Sequence, residues 1–342
     1  MNILVTGGAG FIGTNLTEYY LKKGHRVCIF DNFARSGSQK NLAWLKTLGG
    51  NLHIVKGNIV KDILLIKKEV EKSDVVFHFA AQVAVTSSVL DPRSDFEVNA
   101  RGTFELLELI RQSKARPVIF YSSTNKVYGE MNDIPVVEKK TRYSYKKLPW
   151  GVSEKQLLDF HSPYGCSKGV ADQYMRDYGR IYGLKTVVFR QSCVYGLRQF
   201  GVEDQGWVAW FIIALSLGKK IKIYGNGKQV RDLLDVRDLV RAYDLCLKNI
   251  KKTSGQIYNI GGGIKNTMSV WYEFKPILEK LFQKKITAEF VRWRPGDQPI
   301  FISDNRKALR DFSWKPQISV EQGIKDLYQW VVKNPQLFKD FI

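Results

Sequence analysis

A glycine-rich segment near the start of this 342-residue chain restricts its fold more than any other feature. The apolar run 3–5 is typical of a buried strand, a helical pattern follows, and the turn between them is Thr-Gly-Gly-Ala-Gly-Phe-Ile-Gly. Glycines at such a turn let backbone N–H groups approach a pyrophosphate at the positive end of the helix. Asp31 ends the second apolar run, 18 positions after Gly13, where a carboxylate can hydrogen-bond an adenosine ribose. Because that charge would repel a 2′-phosphate, the segment predicts NAD rather than NADP. The alternative is that the segment is an ordinary strand–turn–helix connection, with Asp31 as a cap and no cofactor bound.

Apolar runs alternate with helical patterns through the first half of the chain. The strand candidates are residues 3–5, 27–30, 53–55, 75–77, 118–121 and 186–189. The segments between them carry 3.6-residue periodicity, as in Phe104, Leu107 and Ile110. This spacing predicts an α/β fold, namely a Rossmann-type doubly wound parallel sheet with helices on both faces.

The pattern loosens into shorter elements beyond about residue 190, with turns marked at 225–227, 261–263 and Pro295–Gly296. We therefore expect residues 1–189 to form the NAD-binding Rossmann domain, which residues 230–262 rejoin. We expect residues 190–229 and 263–342 to form a smaller C-terminal lobe that closes over one end of the sheet and binds the substrate.

Charge and cysteine content exclude several classes of protein. Lysine and arginine total 53 against 33 acidic residues, a net charge of +20, but the lysines are scattered in short pairs. We attribute this charge to the surface or to an anionic small-molecule substrate, and expect no nucleic-acid partner. The cysteines form no C-x-x-C pair, which argues against a disulfide framework or a metal site and favours a cytoplasmic location. No window approaches the ~18 apolar residues of a membrane span, so we expect no membrane contact and no cleaved signal peptide.

Tyr164 and Lys168 form the pattern that points most directly to catalysis. They are four positions apart, so they share one helical face, where the ammonium would lower the tyrosine pKa from ~10 toward neutral. A tyrosinate can remove a proton from a sugar hydroxyl while hydride leaves the same carbon for a nicotinamide. The same spacing starts at Tyr19, Tyr143 and Tyr224, but only Tyr164 follows the fifth strand and opens a long helix.

Thr124 ends the fifth strand candidate in a Ser-Ser-Thr sequence. The carboxyl end of a central strand is the usual ligand side of a parallel sheet. A hydroxyl there can hydrogen-bond the reacting oxygen and help proton exchange with Tyr164. The alternative is a strand end whose hydroxyls satisfy their own backbone.

Taken together, these motifs resemble the extended short-chain dehydrogenases/reductases. The resemblance is carried by the glycine turn, Asp31-Asn32, His-Phe-Ala-Ala at 78–81, Asn-Ala-Arg-Gly-Thr at 99–103, the Ser-Ser-Thr strand end and the Tyr164/Lys168 pair. Residues 121–129, 159–169, 204–207 and 225–232 are similar to those of family members that epimerise CDP-linked 3,6-dideoxyhexoses at C2. The likeness implies a tightly held NAD that takes the C2 hydride and returns it to the other face of a 2-keto sugar.

The resemblance also implies which residues hold the ligands. Tyr164, Lys168 and Thr124 are the expected catalytic residues. The residues expected at NAD, besides Tyr164 and Lys168, are Gly7, Gly10, Phe11, Ile12, Gly13, Asp31, Asn32, Arg35, Asn58, Ile59, Ala80, Gln82 and Asn99. Those expected at the CDP-sugar are Thr124, Asn125, Arg198, Gln205, Val208, Tyr224, Arg231 and Arg294, with the last two arginines on the pyrophosphate and Tyr224 stacked on the base.

The chain departs from the family pattern at particular places. Asn58 stands where many relatives carry aspartate, so an adenine contact there must be made by an amide. Many relatives also lack the long 136–162 segment. Asn125 and Lys126 replace the Asp-Glu pair that 4,6-dehydratases of this fold place after the threonine, which disfavours elimination of water.

Alternative functions remain open from the sequence. A UDP-sugar 4-epimerase uses the same Thr/Tyr/Lys set, because the reacting carbon depends on how the pocket seats the sugar. A non-catalytic NAD-binding scaffold or a basic RNA-associated protein is a more distant alternative, since neither has a use for a low-pKa tyrosine. We expect the chain to form a homo-oligomer, either a dimer or a tetramer.

Overall fold

A computed structural model of the chain describes residues 1–294 and 296–339. Pro295, part of a predicted turn, and residues 340–342, part of the predicted smaller lobe, lie outside the described residues. The first elements are β1 (Asn2–Thr6), α1 (Phe11–Lys22), β2 (Arg26–Asp31), α2 (Ser38–Thr47), β3 (Leu52–Lys56), α3 (Ile63–Val70), β4 (Val75–His78), α4 (Val85–Leu90), α5 (Pro92–Phe96), α6 (Gly102–Gln112), β5 (Val118–Thr124), β6 (Val136–Glu138), β7 (Tyr143–Tyr145), α7 (Pro163–Tyr182) and β8 (Thr186–Gln191). The remaining elements are β9 (Val194–Tyr195), α8 (Trp207–Ser216), β10 (Ile221–Tyr224), β11 (Val230–Asp232), β12 (Leu234–Asp235), α9 (Val236–Lys248), α10 (Ile250–Thr253), β13 (Gln256–Ile260), β14 (Thr267–Ser269), α11 (Phe274–Phe282), β15 (Ala288–Val291), β16 (Ile300–Phe301), α12 (Arg306–Phe312) and α13 (Val320–Lys333).

The main sheet contains seven strands in the order β13-β8-β5-β4-β1-β2-β3. All of its neighbouring strands pair in parallel. The strand order reverses at β1, and ligands of open parallel sheets bind beyond the carboxyl ends of the strands at such a point. The predicted fold class, a Rossmann-type α/β fold, is confirmed, and each predicted strand run lies within this sheet.

The central strands are buried on both faces, which explains why their sequences are continuously apolar rather than alternating. In β1, Ile3 and Val5 pack in one hydrophobic cluster with residues of α1 and α9. Leu4 packs on the opposite face, in a cluster with residues of α3, α6 and α7. Helices therefore cover both faces of the sheet, as a doubly wound fold requires.

A second hydrophobic core lies among later elements of the chain. It joins the apolar helix α8 to β10, α11 and α13, with Phe274 and Leu327 among its buried side chains. The chain contributes α8 and β10 to this core and then returns to the main sheet at β13, which pairs with β8. Helices α11 and α13 join the core only after that return. The division of the chain at residues 189, 230 and 262 stays a prediction. Within residues 1–294 and 296–339, no helix combines the length and the apolar character needed to cross a membrane.

The start of helix α7 is defined by its first residues, which are typical of a helix N-terminus. Ser162 is the N-cap, and its hydroxyl accepts a hydrogen bond from the backbone N–H of Gly165 at 3.0 Å. Pro163 occupies the first turn, where its missing N–H has no cost. This start places Tyr164 in the first turn of α7, facing the carboxyl ends of the strands.

A buried ion pair fixes α7 against the sheet. Arg190 on β8 donates to both carboxylate oxygens of Asp172 on α7 at 2.8 Å, and both side chains are almost fully buried. Asp172 also accepts a hydrogen bond from the Ser123 hydroxyl on β5 at 2.8 Å. The pair therefore links β5, α7 and β8 at the level of the predicted catalytic residues.

Removing one partner of this pair should destabilise the chain strongly, because it leaves a buried charge without compensation. We expect Arg190→Met to lower the free energy of unfolding by about 3–5 kcal/mol, measured by urea denaturation. Arg111→Met is the matched control, since Arg111 pairs with Glu108 on the exposed surface, and we expect a much smaller loss. Equal stability losses in the two variants would contradict the role given to the buried pair.

Candidate active site

A cleft of about 520 Å³ opens at the carboxyl ends of the central strands and extends toward the second core. The residues predicted from the sequence that line it are Gly7, Gly10, Phe11, Ile12, Gly13, Asp31, Asn32, Arg35, Asn58, Ile59, Ala80, Thr124, Asn125, Tyr164, Lys168, Arg198, Gln205, Tyr224, Arg231 and Arg294. The fold thus brings both predicted groups, those for the cofactor and those for the substrate, to one continuous site.

Three predicted residues do not line the cleft. Asn99 is buried in a π-helical turn between α5 and α6, where it accepts from the backbone N–H of Gln82 and donates to the Gln82 carbonyl. Asn99 and Gln82 therefore hold the segment that follows β4 rather than facing the cleft. Val208 is 1% exposed and packs in the second core, because the second residue of α8 points into the apolar interior of that helix bundle.

The glycine turn leaves little room for side chains. A Cβ on Gly13 would lie 2.3 Å from the Gly7 carbonyl oxygen, and one on Gly7 would lie 2.7 Å from the backbone nitrogen of Ala80. Gly10 is the N-cap of α1 and supplies no capping side chain, so the first N–H groups of the helix remain available at the cleft wall. Backbone donors at a helix start fit a pyrophosphate, and the residues present therefore fit a dinucleotide.

Asp31 ends β2 beside this turn and is held in place by the backbone. Its carboxylate accepts from the N–H of Ala9 at 3.0 Å and from the N–H of Phe33 at 2.7 Å. Burial raises the Asp31 pKa, and the two backbone donors oppose that effect. A carboxylate has further lone pairs, so it can still accept from a ribose hydroxyl.

Arg35 and Asn58 lie on the same side of the cleft but are engaged within the protein. Arg35 donates to the side-chain oxygen of Gln205 at 2.6 Å, which links the cofactor side of the cleft to the loop before α8. The Asn58 side-chain oxygen accepts from the N–H of Val60 at 2.8 Å. The expected contacts of both residues with NAD stay predictions.

Thr124, Tyr164 and Lys168, the Thr–Tyr–Lys trio, meet at the inner end of the cleft. All three are buried, with exposures of 7%, 9% and 4% in that order. The Thr124 hydroxyl accepts from the backbone N–H of Lys126 at 3.2 Å. The Lys168 ammonium donates to the Ser122 carbonyl at 2.5 Å and lies 4.3 Å from the centre of the Tyr121 ring. The β5 strand end and the first turns of α7 thus supply the whole trio.

The expected near-neutral tyrosine is wrong for this arrangement. Burial raises the Tyr164 pKa to about 12, and the Thr124 hydrogen bond and the charge of Arg35 oppose that rise without cancelling it. Burial also lowers the Lys168 pKa to about 7, against the attraction of Asp95 and Asp172. The reason is geometric, since the Lys168 ammonium is directed at the Ser122 carbonyl rather than at the phenol.

Cations and acids are paired on the substrate side of the cleft. Arg231 donates to Asp297 at 2.6 Å, and Lys126 donates to the Gly296 carbonyl at 3.0 Å and lies 3.5 Å from the same Asp297 carboxylate. Burial opposes ionisation of Asp297, but the charges of Arg231 and Lys126 outweigh it and lower the Asp297 pKa.

Arg294 and Tyr224 form a second contact group. The Arg294 guanidinium lies 3.7 Å from the centre of the Tyr224 ring and donates to the Glu203 carbonyl at 2.9 Å and to Asp204 at 3.1 Å. The Tyr224 hydroxyl donates to the Glu203 carboxylate at 2.7 Å. Tyr224 is therefore an anchor for Arg294 in this structure, and its stacking on a base stays a prediction.

Arg198 takes a different position from the other arginines. Its guanidinium lies 3.6 Å from the Trp44 ring centre and 5.7 Å from that of Trp330. Its backbone has a positive φ of 66°, which is uncommon for a residue with a side chain. This cation–π contact directs the guanidinium at α2 and α13, although Arg198 contributes to the cleft wall.

Sequence reasoning missed several cleft residues, among them Thr86, Glu203, Gln229 and Asp297. Thr86 and Gln229 each carry a buried oxygen that has no hydrogen-bond partner within the described part of the chain. Gln229 lies within the segment 225–232 and Asp297 directly follows the turn at Pro295–Gly296, so the sequence did mark the neighbourhood of both residues. Nothing local in the sequence marks Thr86 or Glu203.

The chain matches the family model described as GDP-mannose 4,6 dehydratase over residues 4–327. It is 45% identical to the CDP-paratose 2-epimerase of Salmonella typhi, over 96% of this chain and 99% of that protein. It is 31% identical to a putative UDP-glucose 4-epimerase of Methanocaldococcus jannaschii, over 97% of this chain and 99% of that protein.

Solved structures agree with these sequence matches. The UDP-glucuronic acid 4-epimerase from Bacillus cereus, in complex with UDP-glucuronic acid and NAD, superposes with a TM-score of 0.84 at 28% identity, covering 97% of this chain and 99% of that one. The dTDP-glucose 4,6-dehydratase DesIV from Streptomyces venezuelae, with NAD bound, gives a TM-score of 0.84 at 27% identity and covers 100% of both chains. The chain therefore belongs to the GDP-mannose 4,6 dehydratase family, within the extended short-chain dehydrogenases/reductases that its sequence resembles.

Proposed function

We propose that the chain is an NAD-retaining epimerase that inverts C2 of a CDP-linked 3,6-dideoxyhexose, converting CDP-paratose to CDP-tyvelose through a transient 2-keto sugar. The observation that carries this proposal is the 45% identity, over nearly the full length of both proteins, to a CDP-paratose 2-epimerase. The Thr–Tyr–Lys trio lines the inner end of the cleft, and it would supply the proton transfer that such an inversion requires.

The predicted enzyme class and cofactor are confirmed at the level of the family. The chain is an isomerase of the nucleotide-sugar epimerase type, and its cofactor is NAD. Residues 7–13 would hold the pyrophosphate and Asp31 the adenosine ribose. When bound, NAD would supply a reversible acceptor for the hydride of a carbinol, so that the net oxidation over one turnover is zero.

The trio handles the proton of the same carbinol. As a tyrosinate, Tyr164 would take the C2 hydroxyl proton and return it after inversion, and Thr124 would hold the reacting oxygen. With a pKa raised to about 12, the phenol is protonated at neutral pH. A rotation of the Lys168 ammonium from the Ser122 carbonyl toward the phenol would stabilise the tyrosinate.

Dehydration, the activity in the family's name, is not supported by the residues that follow Thr124. Asn125 donates to the side-chain oxygen of Gln298 at 3.1 Å, and Lys126 is held by Gly296 and Asp297. Neither can provide the carboxylic acid and carboxylate pair that elimination of water uses in the 4,6-dehydratases of this fold.

A UDP-sugar 4-epimerase is the second candidate. Relatives named UDP-glucose 4-epimerase are 31% and 32% identical to this chain. The trio serves either reaction, so the two candidates differ only in the base and in the carbon that faces Tyr164. A non-catalytic scaffold or an RNA-associated protein is a weaker candidate, because it has no use for the buried trio.

We also propose that the chain forms a homo-oligomer in the cytoplasm and needs no nucleic acid or membrane. Helices α6 and α7 present exposed large apolar side chains on one surface, including Phe104, Tyr174, Ile181 and Tyr182. Phe104 and Tyr174 contact each other across the two helices, with ring centres 5.4 Å apart. A second copy of the chain would bury this surface, and a dimer is the simplest such assembly.

Product analysis tests the proposed reaction. We expect purified protein without added cofactor to convert CDP-paratose to CDP-tyvelose, and to leave UDP-glucose and GDP-mannose unchanged, as observed by NMR. Conversion of UDP-glucose to UDP-galactose with no change in the CDP-sugar would favour the 4-epimerase instead. If the protein converted none of these nucleotide sugars, the proposal that it is an epimerase would be wrong.

Tyr164→Phe should retain NAD and lose turnover by about 10²–10⁴-fold, because it removes the acid/base group without changing the turn at residues 7–13. Steady-state kinetics measure the loss, and the absorbance of released NAD measures the cofactor content. Tyr272→Phe, at an exposed position that does not line the cleft, is the control and should keep normal turnover. Near-normal turnover of Tyr164→Phe would remove Tyr164 from the mechanism.

A C2-deuterated CDP-sugar distinguishes hydride return from enolisation. We expect the deuterium to stay at C2 in the inverted product, because the hydride is taken up and given back within one turnover. Mass spectrometry of the product in ordinary water measures the retained label. Rapid washout into the solvent would indicate a proton-transfer epimerisation and would overturn the redox route.

A further inference from the structure

One corner of the cleft is built mainly of hydrogen-bond acceptors. We call it the base corner, and it consists of Glu203, Tyr224 and Gln229, all of which line the cleft. Tyr224 ends β10, Gln229 directly precedes β11, and Glu203 lies on the loop before α8. Gln229 is two positions from Arg231 in the sequence, so the corner adjoins the arginine expected at the diphosphate.

The Glu203 carboxylate is fixed in this corner. The Tyr224 hydroxyl donates to its Oε1 at 2.7 Å. An ionised carboxylate can only accept hydrogen bonds, and it has about four lone-pair positions, so one donor leaves capacity for another. Glu203 therefore presents an acceptor to any ligand that reaches the corner.

Gln229 adds a second acceptor, and its amide orientation is set by the backbone. Its side-chain nitrogen donates to the Tyr224 carbonyl at 2.5 Å, which the amide oxygen could not do. The opposite atom, Oε1, has no hydrogen-bond partner among residues 1–294 and 296–339, although Gln229 is only 1% exposed. A buried amide oxygen without a donor is uncommon, so this oxygen has capacity for a donor that reaches it.

Two of the arginines that line the cleft are already paired with other acceptors, and Lys222 also lines it, two positions before Tyr224. Arg294 donates to Asp204 and to the Glu203 carbonyl, and Arg231 donates to Asp297. Their charges are therefore balanced by acids outside the base corner, while the diphosphate of a substrate is the strongest competitor for them. The remaining side-chain groups of the corner favour a ligand that donates.

Pyrimidine bases differ at this point in the required way. Cytosine carries an exocyclic amino group at position 4, which donates, whereas uracil and thymine carry a carbonyl oxygen there, which accepts. We propose that Glu203, supported by Gln229, selects cytosine over uracil in the nucleotide diphosphate that this cleft binds. The inference rests on the proposed function, because it assumes that the base of a nucleotide sugar occupies this corner.

Binding of CDP and UDP to the NAD-loaded chain tests the assignment. We expect isothermal titration calorimetry to show CDP binding about tenfold tighter than UDP, since a good side-chain contact with a base edge discriminates by about 5- to 150-fold. Glu203→Gln can donate as well as accept, so we expect the CDP/UDP ratio to fall to about one, mainly through tighter UDP binding. Glu289→Gln on the exposed edge of β15 removes the same charge and should leave the ratio unchanged.

Other outcomes separate this inference from the proposed function. A wild-type chain that binds UDP as tightly as CDP, or a Glu203→Gln variant that keeps the wild-type ratio, would overturn the role of Glu203 even if CDP-paratose is epimerised. A chain that prefers CDP through Glu203 but fails to epimerise any CDP-sugar would contradict the proposed reaction and leave the base assignment standing. If circular dichroism shows that Glu203→Gln does not fold, the wild-type chain alone provides the test. Tighter binding of CDP than of UDP then supports the inference, and equal binding overturns it.

Discussion

The buried pair of Arg190 and Asp172 is the interaction on which the rest of the site depends. Asp172 lies on the same helix as Tyr164 and Lys168, and it accepts from Ser123, the neighbour of Thr124 on β5. One carboxylate therefore fixes the distance between the strand end and the helix that together carry the trio. Arg190 also donates to the Tyr128 hydroxyl, which donates to Asn259 on β13, so the network crosses four elements. A buried pair of this kind adds little net stability over apolar side chains of similar volume, but removing one partner leaves the other charge buried without compensation.

The same logic of paired charges governs the substrate side of the cleft. Arg231 is paired with Asp297 and Arg294 with Asp204, so each arginine is oriented by an acid before any phosphate arrives. A diphosphate that bound these arginines would have to compete with the carboxylates, and the net attraction it gained would be smaller than two free arginines would give. The guanidinium groups would already be held in position, which would lower the entropy lost on binding. The +20 charge of the chain adds a long-range attraction for an anionic substrate that these pairs do not cancel.

The sequence predicted the features that local physics determines. The strand runs, the glycine turn and the position of Asp31 were all correct, because buried parallel strands and tight turns impose residue types over a few neighbouring positions. Features set by distant contacts were not predicted. The Tyr164 pKa depends on burial and on where the Lys168 ammonium points, and Val208 depends on which side of α8 meets the second core. Glu203 could not be found from its neighbours, since its role comes from Tyr224, 21 positions away.

The reacting groups and the groups expected to hold the nucleotide lie at opposite ends of the cleft, which explains why one family supports several reactions. With NAD as the hydride acceptor, the trio would serve whichever carbinol lies beside it, so it does not by itself distinguish C2 from C4. Position along the cleft is instead set by the far end of the substrate, where the base and the diphosphate are held. If Glu203 and Gln229 fix the base and Arg231 fixes the diphosphate, the length of the sugar between them and Tyr164 selects the carbon. A change of reaction then requires substitutions in the base corner and around the sugar, while β5 and α7 can stay as they are.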